Sequence, residues 1–232
     1  NVPGMYSTRR GEVADRGYKV VDGVAVISTS GALVHRSKFL IADSSFLQGY
    51  NDISADLEDA MRNPDVHAVL QVFDTPGGEA QGAFECADRS FALRGQKPFI
   101  AICDGMAASA GYLTASAADE VVVTNTGYAG SIGVVMRHVD FSRAMANDGV
   151  TVTHIFAGAH KVDGNPFEPL PESVRKDFQA EIDGLMTMFV DNVARQRGLS
   201  ADAIRNTQAR VFQGVAAVAA GLADRIGTTD QL

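Results

Sequence analysis

The feature that most restricts what this chain can fold into is an alternation. From residue 68 to residue 158, apolar runs of strand length ("HAVLQVFD", "KPFIAICD", "DEVVVT", "TVTHIFAG") take turns with helical segments near 79–94, from Ser109 onward and near 140–148. Val- and Ile-rich runs of that length suit strands buried on both faces. Strands alternating with helices imply parallel βαβ units with right-handed crossovers, so the expected fold class is α/β.

The flanks fit that frame. Residues 1–17 read as a flexible polar arm, and 18–232 as a single domain without an internal repeat. In "YKVVDGVAVISTSGALV" the Asp22-Gly23 pair predicts a tight turn between two strands. Residues 46–62 place Ile53, Leu57, Ala60 and Met61 on one helical stripe, which Asn63-Pro64 ends. Beyond Pro171, a long amphipathic helix carries Val174, Phe178, Ile182, Leu185, Phe189 and Val193 and stops at Gly198. Ser200 is the N-cap of the next one.

Charge and cysteine content narrow the function. A net charge of −8 with scattered Lys and Arg argues against nucleic-acid binding. Cys86 and Cys103 form neither a metal spacing nor a disulfide framework, so a reducing, cytoplasmic setting is expected and no cofactor is called for. No apolar run approaches the roughly 18 residues of a membrane span, and the N-terminus lacks the apolar core of a signal peptide.

Four glycine-containing joints fall at the expected strand ends: "DTPGGEA", "DGMAASAGY", "GYAGSIGV" and "AGAHKVDGNPF". Sites in open α/β sheets form outside the carboxyl ends of the strands, so these loops are expected to converge. Ser109, set among alanines and Gly111 at a helix start, is either a nucleophile or an ordinary N-cap. Gly78 and Ala110 could aim backbone N–H groups at an oxyanion. As bases, His138 (with Asp140 two positions on), His154 and His160 are available, and so is Lys161. A lysine serves only in its neutral form, which burial favours; its ordinary fate is a snorkelling surface residue.

Together these stretches resemble the signal peptide peptidase A family of serine peptidases, whose fold is shared with the Clp protease subunit and the crotonases. "DTPGG" resembles the family's oxyanion turn and "MAASAGY" its nucleophile segment. "GSIGV" resembles the next strand motif, "GAHKVDGNPFEPL" the general-base loop, and "GLADRIG" the C-terminal ending. The resemblance implies repeated β-β-α units with C-terminal helices. It implies Ser109 as nucleophile, Lys161 as base about fifty residues later, and Gly78 and Ala110 as oxyanion donors. It also implies that an extended peptide is held by strand addition at Gly77, Gly78 and Glu79 and at Gly130, Ser131, Ile132 and Gly133. Thr75 and Ala110 depart from the commoner Ser and Gly; as the backbone does the work, neither change is expected to matter.

Within the family the chain looks most like the bacteriophage branch that matures capsids or heads. The implied substrates are capsid or scaffold proteins and the chain's own precursor, handled by a homo-oligomer in the host cytoplasm or procapsid. Two alternatives stand beside it: a crotonase-type acyl-thioester enzyme, and an assembly component with a decayed site.

Overall fold

A computed structural model describes residues 17–37 and 47–232. The chain divides into two compact units, one running to Gly133 and resuming at Phe189–Leu232, the other Val134–Met188. The expected arm, except Gly17, lies outside the described residues.

The first unit is built on a nine-stranded sheet. Strand β1 (Tyr18–Val21) turns back through Asp22 and Gly23 into β2 (Val24–Val34). Both turn residues have positive φ, +48° and +79°, as the expected two-residue hairpin requires. β3 (Leu47–Gly49) lies parallel to the end of β2 and leads into α1 (Tyr50–Arg62). The sequence placed a helix from residue 46. It starts at Tyr50 because residues 47–49 are claimed by β2, while Ile53, Leu57, Ala60 and Met61 are buried as expected.

β4 (Ala68–Gly78), α2 (Ala83–Phe91), β5 (Phe99–Ala108), α3 (Ala110–Ala115) and β6 (Glu120–Val123) then keep the expected alternation. α2 begins at residue 83, later than the anticipated 79: β4 runs on through Gly78, and Gly82, at φ +83°, precedes the helix. The sheet order is β1-β2-β4-β5-β6-β9, parallel from β2 onward, with β1 antiparallel at the edge.

β5 forks. Its first half pairs with β6, and its last three residues pair instead with β7 (Tyr128–Gly130). The divergence coincides with a register shift between Phe73 and Thr75 of β4, where two positions on β4 face four on β5. Such a bulge bends a strand and re-aims the residues beyond it. The residue beyond this one, at the end of β5, is Ser109. Ile27, Phe73, Phe99, Ile102, Tyr112, Leu113 and Val121–Val123 fill the core.

The rest of the first unit closes this end. α5 (Glu172–Arg197) ends at Gly198, whose φ of +64° and the Leu199 N–H to Ala194 O bond make a Schellman stop. Ser200 caps α6 (Ala201–Arg205) by accepting the Ala203 N–H, as expected. β8 (Val211–Gln213), α7 (Val215–Ala219) and β9 (Arg225–Ile226) complete the sheet. The "GLADRIG" stretch has a structural task. Asp224 accepts the Val121 N–H at 2.7 Å and pairs with Arg197, whose side chain is 6% exposed. Burial alone would raise the Asp224 carboxyl, but Arg197 and the Val121 N–H hold it below its ordinary value.

In the second unit, α4 (Ser142–Asn147) lies where a helix was expected. The strand expected at "TVTHIFAG" does not form. Residues 151–156 are irregular, and Ile155 is 98% exposed. Alternation supplies a strand's faces, but a strand also needs a neighbour to pair with, and this unit provides none among its described residues.

Candidate active site

Ser109 is the single residue between β5 and α3, and it sits there at φ +53°, ψ −128°. That region is nearly closed to residues with a Cβ and costs on the order of 1–3 kcal/mol where it is imposed. Two bonds impose it: Ser109 N–H donates to Gly130 O at 2.9 Å, and Leu113 N–H donates to Ser109 O at 3.0 Å. The side chain is half-buried and makes no capping bond to α3. Ser109 is thus the N-cap of α3 by position, through its carbonyl, while its hydroxyl makes no capping bond.

Gly77 lies directly against it. At φ +100°, a Cβ on residue 77 would stand 2.7 Å from Ser109 Cβ, 2.8 Å from Ala108 O and 3.0 Å from Ala110 N. Only a residue without a side chain leaves room beside the serine and the Ala110 amide. Gly78 is equally constrained on its other side, where a Cβ would meet Leu33 O at 1.8 Å. Glu79 N–H donates to that same Leu33 O, so Gly78, the residue paired with Leu33, turns its own N–H away from β2. The ladder between β4 and β5 ends at Thr75 and Ala107, leaving that direction without a ladder partner. Gly77, Gly78, Ser109 and Ala110 are thus gathered in one place, with the Gly78 and Ala110 amides as its candidate anion donors.

Thr75, inconspicuous in the sequence, holds the joint. It is fully buried; its hydroxyl donates to Gly31 O at 2.6 Å and accepts the Gly77 N–H at 3.1 Å. Its methyl group occupies the space that keeps residue 111 a glycine. A serine would supply the same hydroxyl, which explains why the commoner residue suits the position. Thr75→Ser is expected to keep active-site labelling within about twofold. Thr75→Val strands the Gly31 carbonyl and the Gly77 amide, and is expected to cost about 2 kcal/mol in thermal unfolding and lower labelling about tenfold.

Gly130 and Ser131 have a task other than the expected one. β7 is already paired on both sides, with β5 and with β8, and Ser131 N–H donates to Arg210 O at 2.9 Å. Their polar groups seat Ser109 and leave no free edge at residues 128–130. Ile132 is buried, and Gly133 is packed on Ala209. At the end of β4, Gly78 has its N–H turned from β2, whereas the Glu79 N–H is bonded to Leu33 O and its carbonyl accepts from the Tyr50 hydroxyl.

Lys161 belongs to the second unit and is exposed there, in a series of turns opened by its own N–H to Gly158 O bond. The histidines are engaged within the same unit. His138 Nε2 donates to Asn165 O, His154 Nε2 to Asn165 Oδ1, and His160 Nδ1 lies 2.8 Å from Asp163 Oδ2. Asp140 accepts the Ser142 N–H and makes no pair with His138. Asp163 holds the His160 pKa above its ordinary value.

The cysteines are no rivals to Ser109. Both are buried and free, burial pushes the Cys103 thiol up to about 12, and it raises Cys86 as well. Among the described residues no cluster of His, Cys, Asp and Glu is arranged to hold a metal, and no helix is long and apolar enough to cross a membrane.

In this α/β sheet a strand ends in a strained serine that makes no side-chain capping bond and lies beside Gly77. The chain belongs to peptidase family S49, which matches residues 92–232. It is 48% identical to the head-tail preconnector protein GP5 of Enterobacteria phage P21 over 211 residues, covering 91% of this chain and 42% of that protein. It is 43% identical to the capsid assembly protease C of Escherichia phage lambda over 218 residues, covering 94% and 49%. Protease 4 of Haemophilus influenzae is 27% identical over 92% of this chain and 34% of its own. The chain spans less than half the length of these two phage relatives.

Proposed function

We propose that this chain is a serine endopeptidase of the phage-head type, with Ser109 as nucleophile and Lys161 as general base, and that both units serve one peptidase domain. The observation that carries the reading is Ser109 itself, held at φ +53° against Gly77, with a hydroxyl that makes no capping bond. Membership of family S49 and the names of the two phage relatives support capsid-assembly proteins, and the chain's own precursor, as substrates. The site of that work is then the host cytoplasm or procapsid. The sequence resemblance, the α/β architecture and the forked β5 support a fold of the Clp protease and crotonase kind.

In the reaction, neutral Lys161 takes the Ser109 proton as Oγ bonds to the scissile carbonyl carbon. The Gly78 and Ala110 N–H groups receive the charge that builds on its oxygen. Lys161 then gives the proton to the departing amine as the C–N bond breaks, and water attacks the acyl-enzyme to release the acid and restore Ser109. An extended peptide adds to the sheet edge at Gly78, whose N–H is turned from β2.

Lys161 is exposed in the single chain, and covering it would favour the neutral form. Ten of the fourteen exposed large apolar side chains among the described residues, Ile155 and Val135 foremost, lie in the unit that carries it. Both facts support a self-associated active form. Intact-mass spectrometry after a fluorophosphonate probe tests the proposal. One adduct is expected on the wild type, and none on Ser109→Ala or Lys161→Ala. An adduct that persists in either variant would overturn the assignment of that residue.

A further inference from the structure

Lys161 stands in a segment without regular secondary structure, so something other than a helix or sheet ladder must fix it. Within the second unit that work converges on one side chain. Asn165 Nδ2 donates to Val162 O at 2.9 Å and to Glu168 Oε1 at 2.6 Å; its Oδ1 accepts from Phe167 N at 3.0 Å and from His154 Nε2 at 3.2 Å. Its backbone takes part as well. The carbonyl accepts from His138 Nε2 at 3.0 Å, and the N–H donates to Val162 O at 3.0 Å.

The amide orientation is self-consistent, since both acceptors face the nitrogen and both donors face the oxygen. The two histidines come from stretches 27 and 11 positions earlier, so Asn165 ties three otherwise irregular segments to one point. Two neighbours brace it: Pro166 O accepts the Phe141 N–H at 2.7 Å, and Gly164, at φ +72°, packs on Phe178 of α5 with no room for a Cβ.

We infer that Asn165 is a positioning residue for the general base, holding the turn from Val162 to Glu168 so that Lys161 is presented at one fixed place. It touches neither substrate nor reacting atoms; it acts through the backbone just beyond Lys161. The inference rests on the assignment of Lys161 as base. A loosened turn would allow displacements of the order of 1 Å, enough to cost about 100-fold in a reaction that depends on alignment. The charged and titratable groups around the loop are His138, His154 and Glu168 at Asn165, with His160 and Asp163 flanking Lys161 in sequence and Asp177 acting on His160.

The test is the rate of fluorophosphonate labelling, measured from pH 6 to 10, for wild type, Asn165→Ala, Asn165→Ser and Lys161→Ala. The serine variant keeps an oxygen for the Phe167 N–H, which guards against an alanine variant that does not fold, but it loses the Nδ2 bonds to Val162 and Glu168 that hold the turn. Both Asn165 variants are expected to label about 10- to 100-fold more slowly, with the pH at which labelling rises displaced from the wild-type position. A purely structural role would lower the melting temperature and leave that pH in place, and would overturn the inference. Wild-type rate and pH profile in an Asn165 variant, with Lys161→Ala inert, would overturn it while leaving the dyad standing. Undiminished labelling of Lys161→Ala would remove the dyad, and the inference with it.

Discussion

Ser109→Gly is expected to abolish covalent labelling and to raise the melting temperature in the same protein. Ser109 is held at φ +53° by the hydrogen bonds to Gly130 and from Leu113, a conformation that glycine adopts without penalty. Relief of about 1–3 kcal/mol of backbone strain is set against about 0.5–1 kcal/mol from the greater freedom of an unfolded chain with one more glycine. The net gain is about 1 kcal/mol, or a rise of about 2–4 °C for a chain of this size. Ser109→Ala removes the hydroxyl but keeps the Cβ, so it is expected to be equally inert with an unchanged melting temperature. Calorimetry on the three proteins separates the cases. Equal melting temperatures for the glycine and alanine variants would show that the serine stores no strain.

The second large effect is expected at Gly77. In Gly77→Ala the new methyl must adopt φ +100° and stand 2.7 Å from Ser109 Cβ and 2.8 Å from Ala108 O. Both neighbours are part of the joint, so neither can yield without moving Ser109. The expected loss is about 2–3 kcal/mol of stability, with labelling below about 1% of wild type. Ala83, in the neighbouring helix, offers a comparison: Ala83→Gly is destabilising through helix propensity and the loss of a buried methyl, and is expected to leave the labelling rate unchanged. A Gly77→Ala protein that melts lower but labels at the wild-type rate would show that the space beside Ser109 has no part in the chemistry.

What could be read in the letters was what local geometry dictates. Asp22-Gly23 announces its turn because two positive φ angles are needed there, and the Val174-to-Val193 stripe announces its helix through spacing. The "TVTHIFAG" run failed the same test for a physical reason, since its pattern is local and its pairing is not. At Ser109 the sequence showed a small-residue joint but could not choose between nucleophile and cap. The strained backbone there depends on a bond to Gly130, which only folding brings near. Thr75 was discounted because its hydroxyl acts on Gly31, 44 positions earlier. Asn165 was passed over because three of its partners lie within three residues, where any turn-forming asparagine would find them, and the two histidines declare themselves only in space.

The double pairing of β7 has a consequence in time. Gly130 seats the serine, and β8 with Arg210 secures Gly130, yet those residues leave the ribosome about a hundred positions after Ser109. At synthesis rates of about 5–20 residues per second, the nascent chain carries Ser109 for roughly 5–20 s before the seat can close. Translation therefore imposes a latency on the serine: a chain interrupted before residue 210 carries Ser109 without the strands that hold it in place.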